Sequence, residues 1–284
     1  MKEKTGKQVT IAYGIIAVFC FILLYGVTFR DAGTVQEKNG CDIVVLGDSI
    51  PGQVRDATSM PVLLEELTGK SVFNGALGGT CMSRTGGSDY GDAVTDSLSV
   101  VSLSQAIVTQ DFGEQQPIRS RESAKDYFEV TIDSLCTVDF ERVGILLIES
   151  GVNDYHAGTT IYPGQDAYDP YTYVGALRSV IRSIRETYPN VRIILVTPTY
   201  TWYREKNLTC EEYNLGGGVL EQYVEAEEAV AKEMGVEWID LYHDFYPHEN
   251  WEDWERYTID GLHPNEAGRA LIAGKIADYL KKTE

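Results

Sequence analysis

Three short runs with apolar centres, CDIVVLG at 41–47, RVGILLIES at 142–150 and VRIILVTP at 191–198, constrain this chain more than any other feature. A strand whose side chains alternate between two faces, yet is apolar on both, must be covered on both sides. That is the environment of a parallel sheet. Between and around these runs stand helical patterns: MPVLLEELTGK, stopped by Gly69, then YVGALRSVIRSIRETYPN, VLEQYVEAEEAVAKEMG and NEAGRALIAGKIADYL. SVFNG and VEWIDLY supply two further short strands. The alternation predicts one α/β domain, a five-stranded parallel sheet with helices on both faces, and no internal repeat. Residues 80–140 break the rhythm, and their helical stretches SLSVVSLSQAIVTQ and ESAKDYFEVTIDSLC read as an insertion beside the sheet.

The front of the chain has a different character. From Gln8 to Phe29 no residue is charged. A helix of that length, at about 1.5 Å per residue, covers the roughly 30 Å of bilayer hydrocarbon. Lys2, Lys4 and Lys7, against Glu3 alone, place the leading segment in the cytoplasm and the rest outside. A cleaved signal peptide is the competing reading. It is disfavoured because the apolar run is long and because Arg30 and Asp31 stand where small residues are wanted. The expected organisation is a cytoplasmic stub and membrane anchor at 1–29, a polar linker at 30–40 and a folded domain at 41–284.

Residues 1–29 carry three lysines and one glutamate, so the overall net charge of −19 leaves −21 on the remainder. Nucleic-acid binding depends on neutralising phosphates with lysine and arginine, and such a domain is excluded from it. Of five cysteines, Cys20 lies in the apolar run. Cys41 and Cys136 precede strands one and three, whereas Cys81 and Cys210 follow strands at the opposite end. A five-residue strand separates those ends by roughly 17 Å, so only the pairs 41–136 and 81–210 are geometrically permitted. Free thiols are the favoured state, and no C-x-x-C marks a zinc or redox site.

Parallel sheets bind ligands at the carboxyl ends of their strands. Strand one delivers Gly47-Asp48-Ser49 there, strand two Asn74 to Gly79, strand three Gly151-Val152-Asn153-Asp154, and the segment after strand five Asp260-Gly261-Leu262-His263-Pro264-Asn265. A serine hydroxyl is a weak nucleophile until a base takes its proton, and the base works best when a third group fixes its tautomer. Asp260 and His263 in one turn fit base and orienter for Ser49. The N–H groups of Ser49 and Gly79 and the Asn153 amide fit the donors that a developing oxyanion needs. His156, His243 and His248 match no metal spacing and read as surface or packing residues; no metal or organic cofactor is expected.

These four blocks, in this order, resemble the SGNH (GDSL) hydrolase superfamily over about residues 42–282. The resemblance implies a serine esterase in which Ser49 is the nucleophile, His263 the base, Asp260 its orienter, and Gly79 and Asn153 the oxyanion hole. Gly78 stands beside Gly79. The latter is chosen for its spacing of five residues from Asn74, which is similar to the family's. The resemblance also implies a flavodoxin-like three-layer sandwich with strand order 2-1-3-4-5, which sets strands one and three side by side. Position 51 is proline, so the G-x-S-x-G elbow of α/β-hydrolases is absent.

Tyrosine and tryptophan crowd the segments after strands three, four and five, and Tyr155, Tyr200 and Trp202 are the expected substrate contacts, stacking on sugar rings. The expected function is hydrolysis of O-acyl esters outside the cytoplasm, carbohydrate acetyl esters included. Transfer of the acyl group to a sugar hydroxyl and a catalytically silent surface-binding module are the alternatives.

Overall fold

The strand and helix patterns fold as periodicity demands. The computed structural model describes residues 39–86, 93–120 and 124–283. The expected membrane span at 8–29 and the linker up to residue 38 lie outside the described residues. Among the described residues no helix is long and apolar enough to cross a membrane.

Seven strands are present among them: β1 (Ile43–Gly47), β2 (Val72–Asn74), β3 (Ile145–Glu149), β4 (Arg192–Val196), β5 (Trp202–Tyr203), β6 (Leu208–Thr209) and β7 (Glu237–Ile239). Five form a parallel sheet in the order β2-β1-β3-β4-β7, and β5 with β6 makes a separate antiparallel hairpin. With the hairpin set aside, the order is the expected 2-1-3-4-5. Chain direction across the sheet reverses between β1 and β3, whose register runs from Ile43 opposite Ile145 to Gly47 opposite Glu149.

Alternation along each strand divides the core in two. Val44, Leu46, Leu146, Ile148, Ile193 and Leu195 face one layer, while Ile43, Val45, Ile145, Leu147, Ile194 and Val196 face the other. Each such side chain, fully buried, contributes roughly 1.5–3 kcal/mol from surface removed from water.

The helices are α1 (Ser49–Gly52), α2 (Met60–Thr68), α3 (Ala93–Ser97), α4 (Val100–Thr109), α5 (Tyr127–Leu135), α6 (Val152–His156), α7 (Tyr173–Thr187), α8 (Leu220–Met234), α9 (Trp254–Tyr257) and α10 (Glu266–Thr283). Helices α2 and α10 cover the second face through Met60, Leu64, Ile272, Ile276 and Leu280. In α7, Val174, Leu177, Ile181 and Ile184 follow the 3.6-residue period and bury one stripe. Arg178 on its outer side makes a two-pronged contact to Glu233 of α8, at 3.1 and 2.6 Å. Both α2 and α8 stop where a glycine takes left-handed backbone, at Gly69 and Gly235.

Within the irregular region, α4 packs along α7, and its Leu103 and Ile107 belong to the same buried cluster as residues of β1 and β3. Its spacing of apolar residues is that of any sheet-covering helix, so this stretch is a structural layer. All four cysteines among the described residues are free.

Candidate active site

The strand ends meet where β1 and β3 lie side by side. Gly47 ends β1 with φ 153°, and a Cβ there would drive into the Glu149 carbonyl oxygen of the neighbouring strand. Only glycine lets the backbone turn so close to its neighbour. The chain then enters α1, where the Asp48 side chain accepts the Ile50 N–H at 2.9 Å and Ser49 is held almost out of solvent.

His263 arrives from the other end of the domain in a loop tied to itself. Ile259 N–H donates to His263 O at 2.8 Å and Asn265 N–H to Tyr257 O at 2.9 Å. Arg269, buried in α10, donates to Pro264 O at 2.9 Å and to Thr58 O at 2.7 Å, anchoring the loop to the segment before α2. Gly261, at φ 97°, lies against the Trp202 carbonyl with no room for a Cβ, and Trp202 N–H donates back to Gly261 O at 2.9 Å.

In that frame Asp260 Oδ1 accepts the backbone N–H groups of Leu262 and His263 at 3.0 and 2.8 Å. Its Oδ2 faces His263 Nδ1 at 2.7 Å, and His263 Nε2 stands 3.1 Å from Ser49 Oγ. With the ring proton on Nδ1, donated to the carboxylate, the Nε2 lone pair faces the serine hydroxyl. Burial pushes the Asp260 carboxyl up, but the hydrogen bonds from the His263 ring and from the two N–H groups outweigh it. The net effect holds the carboxyl below its ordinary range, ionised at neutral pH.

Asn153, in α6, donates from Nδ2 to Thr80 O at 3.0 Å, and Asp154 accepts the N–H groups of Met82 and Ser83 at 2.7 and 3.0 Å. The two residues therefore tie the segment that follows β2 to the helix that follows β3. Gly78 and Gly79 are separated by their partners. Gly78 N–H donates to Tyr127 Oη at 3.1 Å, whereas Gly79, at φ 84°, has no backbone or side-chain acceptor opposite its N–H among the described residues.

The expected aromatic contacts divide. Tyr155 and Tyr200 are core residues, not substrate contacts. Tyr155 is fully buried, packs edge-on against Tyr223, and donates its hydroxyl to Tyr213 O. Tyr200 is buried with its ring stacked on His248 at 4.2 Å. Burying a tyrosine ring removes more surface from water than stacking it on a solvated sugar, and both hydroxyls find protein acceptors. Trp202, although also buried, does line a cleft of about 660 Å³ with Tyr203, Arg204, Lys206, Tyr213, Asp260 and Leu262 among its walls. Neither Ser49 nor His263 is among the lining residues; the cleft reaches the site at Asp260.

The remaining histidines have packing or surface places. His156 bonds Tyr203 Oη at 2.7 Å behind the cleft wall, and burial, with the nearby His263 charge, lowers its pKa to about 4. His243 pairs with Asp240 at 3.0 Å on the surface, with Glu228 close by.

Buried carboxyl groups beneath the site went unread in the sequence. Asp48, Glu149, Asp154 and Glu227 are all removed from solvent. Burial raises all four: Asp154 to about 6 despite its N–H partners, Glu227 to about 8 with the Tyr173 hydroxyl on it at 2.7 Å, and Asp48 and Glu149 upward together. One signal was available, the glutamate that ends the otherwise apolar ILLIE of β3.

Comparison with known proteins identifies the family. Residues 45–271 match the model of the GDSL-like lipase/acylhydrolase family. No curated protein matches. Among solved structures the chain is similar to a protein from Lactobacillus plantarum at 21% identity and TM-score 0.59, covering 87% of this chain and 98% of the other. A possible lipase from Chitinophaga pinensis is similar at 18% identity and TM-score 0.55, with 86% and 98% covered. Est24, a carbohydrate acetylesterase from Sinorhizobium meliloti, is similar at 14% identity and TM-score 0.50, with 87% and 100% covered. At such identities the likenesses show a shared fold, while the match over most of the sequence carries the assignment: this chain belongs to the GDSL-like lipase/acylhydrolase family, a family of ester-hydrolysing enzymes.

Proposed function

We propose that this protein is a serine esterase that cleaves O-acyl esters of carbohydrate through an acyl-enzyme, with its catalytic domain held outside the cytoplasm by the apolar segment at 8–29. The observation that carries the reaction is the unbroken relay from Ser49 Oγ to His263 Nε2 at 3.1 Å and from His263 Nδ1 to Asp260 at 2.7 Å. His263 takes the serine proton as Oγ attacks the ester carbonyl, and the negative charge passes to the carbonyl oxygen. Ser49 N–H, Gly79 N–H and the Asn153 amide receive that charge. The imidazolium then protonates the departing alcohol. Water, deprotonated by the same imidazole, attacks the acyl-serine and releases the acid with the serine restored.

The carbohydrate assignment is supported by the aromatic and charged walls of the cleft beside Asp260, where a sugar alcohol would leave, and by the acetylesterase activity of Est24. Full-length protein in detergent, treated with a fluorophosphonate, should carry the adduct on Ser49 and should release acetate from acetylated xylose faster than fatty acid from long-chain esters. An adduct elsewhere, or none, removes Ser49 from the nucleophile's role. Acetyl groups appearing on an added sugar acceptor instead of as free acetate would make the protein a transferase.

Placement outside the cytoplasm rests on the uncharged run and the lysines before it. Protease added to intact cells should digest the domain; survival of the domain until the cells are lysed would reverse the orientation.

A further inference from the structure

We propose that Arg55 and Tyr127 act together as positioning residues for the oxyanion donor at Gly79, a role that rests on the esterase reading above. Arg55 is half-buried and has no carboxylate partner among the described residues. Its guanidinium is spent on backbone carbonyls: Nε donates to Gly52 O at 2.8 Å, Nη1 to Asn74 O at 2.8 Å, and Nη2 to Ala76 O. Gly52 ends α1, the helix that begins at Ser49, while Asn74 and Ala76 lead into the Gly78-Gly79 loop. A rigid, planar fork bonded to both segments sets the distance between nucleophile and oxyanion loop.

Tyr127 completes the brace from a remote part of the chain. Its ring lies 4.3 Å from the Arg55 guanidinium carbon, and its hydroxyl accepts the Gly78 N–H at 3.1 Å. The loop is already pinned on its near side, where Leu77 N–H donates to Gly47 O at 2.9 Å and the Thr80 hydroxyl to Leu77 O at 2.7 Å. Two successive glycines would otherwise leave the Gly79 peptide a wide choice of directions. Holding the Gly78 N–H removes most of that choice, because each peptide unit is planar and only one residue's φ and ψ separate it from the next. The convergence is tight: a Cβ on Gly78 would stand 2.8 Å from Tyr127 Oη and 3.4 Å from Ser49 Cβ. Tyr127 is the first residue of α5, so the segment between β2 and β3 serves the site as well as the core.

The Tyr127→Phe protein keeps the ring against Arg55 and loses the hydroxyl that accepts the Gly78 N–H and faces the Arg55 guanidinium. Misplacing one donor costs less than deleting it, which removes about 10²–10³ of kcat in known cases. The expected result is about a tenfold fall in kcat for a short-chain nitrophenyl ester, counted per fluorophosphonate-labelled Ser49, with KM within about twofold and the unfolding midpoint unchanged. Gly78→Ala, which pushes Oη away, should lower kcat similarly without raising KM. If kcat per labelled site in Tyr127→Phe stays within about twofold of the parent, the brace is structural only and the proposal is overturned. Absence of both turnover and a Ser49 adduct in the parent protein would remove the esterase reading itself, and the proposal with it.

Discussion

Ser49→Ala in the full-length chain should lower kcat/KM for a short-chain nitrophenyl ester by about 10⁴-fold or more, with the far-ultraviolet circular dichroism unchanged. The hydroxyl is nearly buried and, among the described residues, bonds His263 alone, so its loss removes the nucleophile without opening the core. His263→Ala should cost about as much, and the double variant no more than either, because the groups act as one unit. Asp260→Asn is the informative variant. Its amide can keep the oxygen that accepts the Leu262 and His263 N–H groups, which turns the NH2 towards His263 Nδ1. The ring then carries its proton on Nε2, facing the serine, and cannot act as base. A fall of about 10²–10⁴-fold in kcat is expected. Activity of Asp260→Asn within a few-fold of the parent would show that the carboxylate does not set the tautomer.

The second large effect is on stability. A carboxyl whose folded pKa lies above its unfolded value favours the fold while protonated, so its contribution is complete below about pH 4 and is lost as pH rises through the folded pKa. Asp154, near 6, has spent its share by mildly acidic pH. Glu227, near 8, and the raised Asp48–Glu149 pair continue to lose stability above it. His156 works in the opposite sense: buried and lowered to about 4, it costs stability as pH falls from its ordinary 6.5 towards 4. The window where the carboxyls act alone is therefore about pH 6.5 to 8. Each group still protonated there costs about 1.4 kcal/mol per pH unit, and for a domain of this size the unfolding midpoint should fall by roughly 5–10 °C across the window. Glu227→Gln retains an acceptor for the Tyr173 hydroxyl and should flatten part of the slope. Calorimetry showing a midpoint that is constant or rising from pH 6.5 to 8 would mean that these carboxyls are ionised in the folded protein.

Periodicity was enough for the architecture, because burial on a strand or helix repeats with the backbone's own geometry. Ile43–Gly47, Ile145–Glu149 and Arg192–Val196 read as buried strands, and Gly69 as a helix stop, from residues within a few positions of one another. The same local logic failed for Tyr155 and Tyr200. A loop has no period, so an aromatic side chain there gives no sign of whether it faces the cleft or the core. Nor does the apolar spacing of α4, which marks a buried face, say which surface that face meets.

The sequence by itself determined which chemical groups stand at the carboxyl ends of the strands, since strand limits and the Gly-Asp-Ser and Asp-Gly-Leu-His-Pro-Asn turns are short-range features. Only the tertiary structure decided their partners: His263 against Ser49, Arg55 against Asn74 and Ala76, Tyr127 against Gly78, and the burial of Glu149 with Asp48. Those pairings depend on chain crossings of 19 to 214 residues, and a hydrogen bond is selective for distance and angle while indifferent to sequence separation.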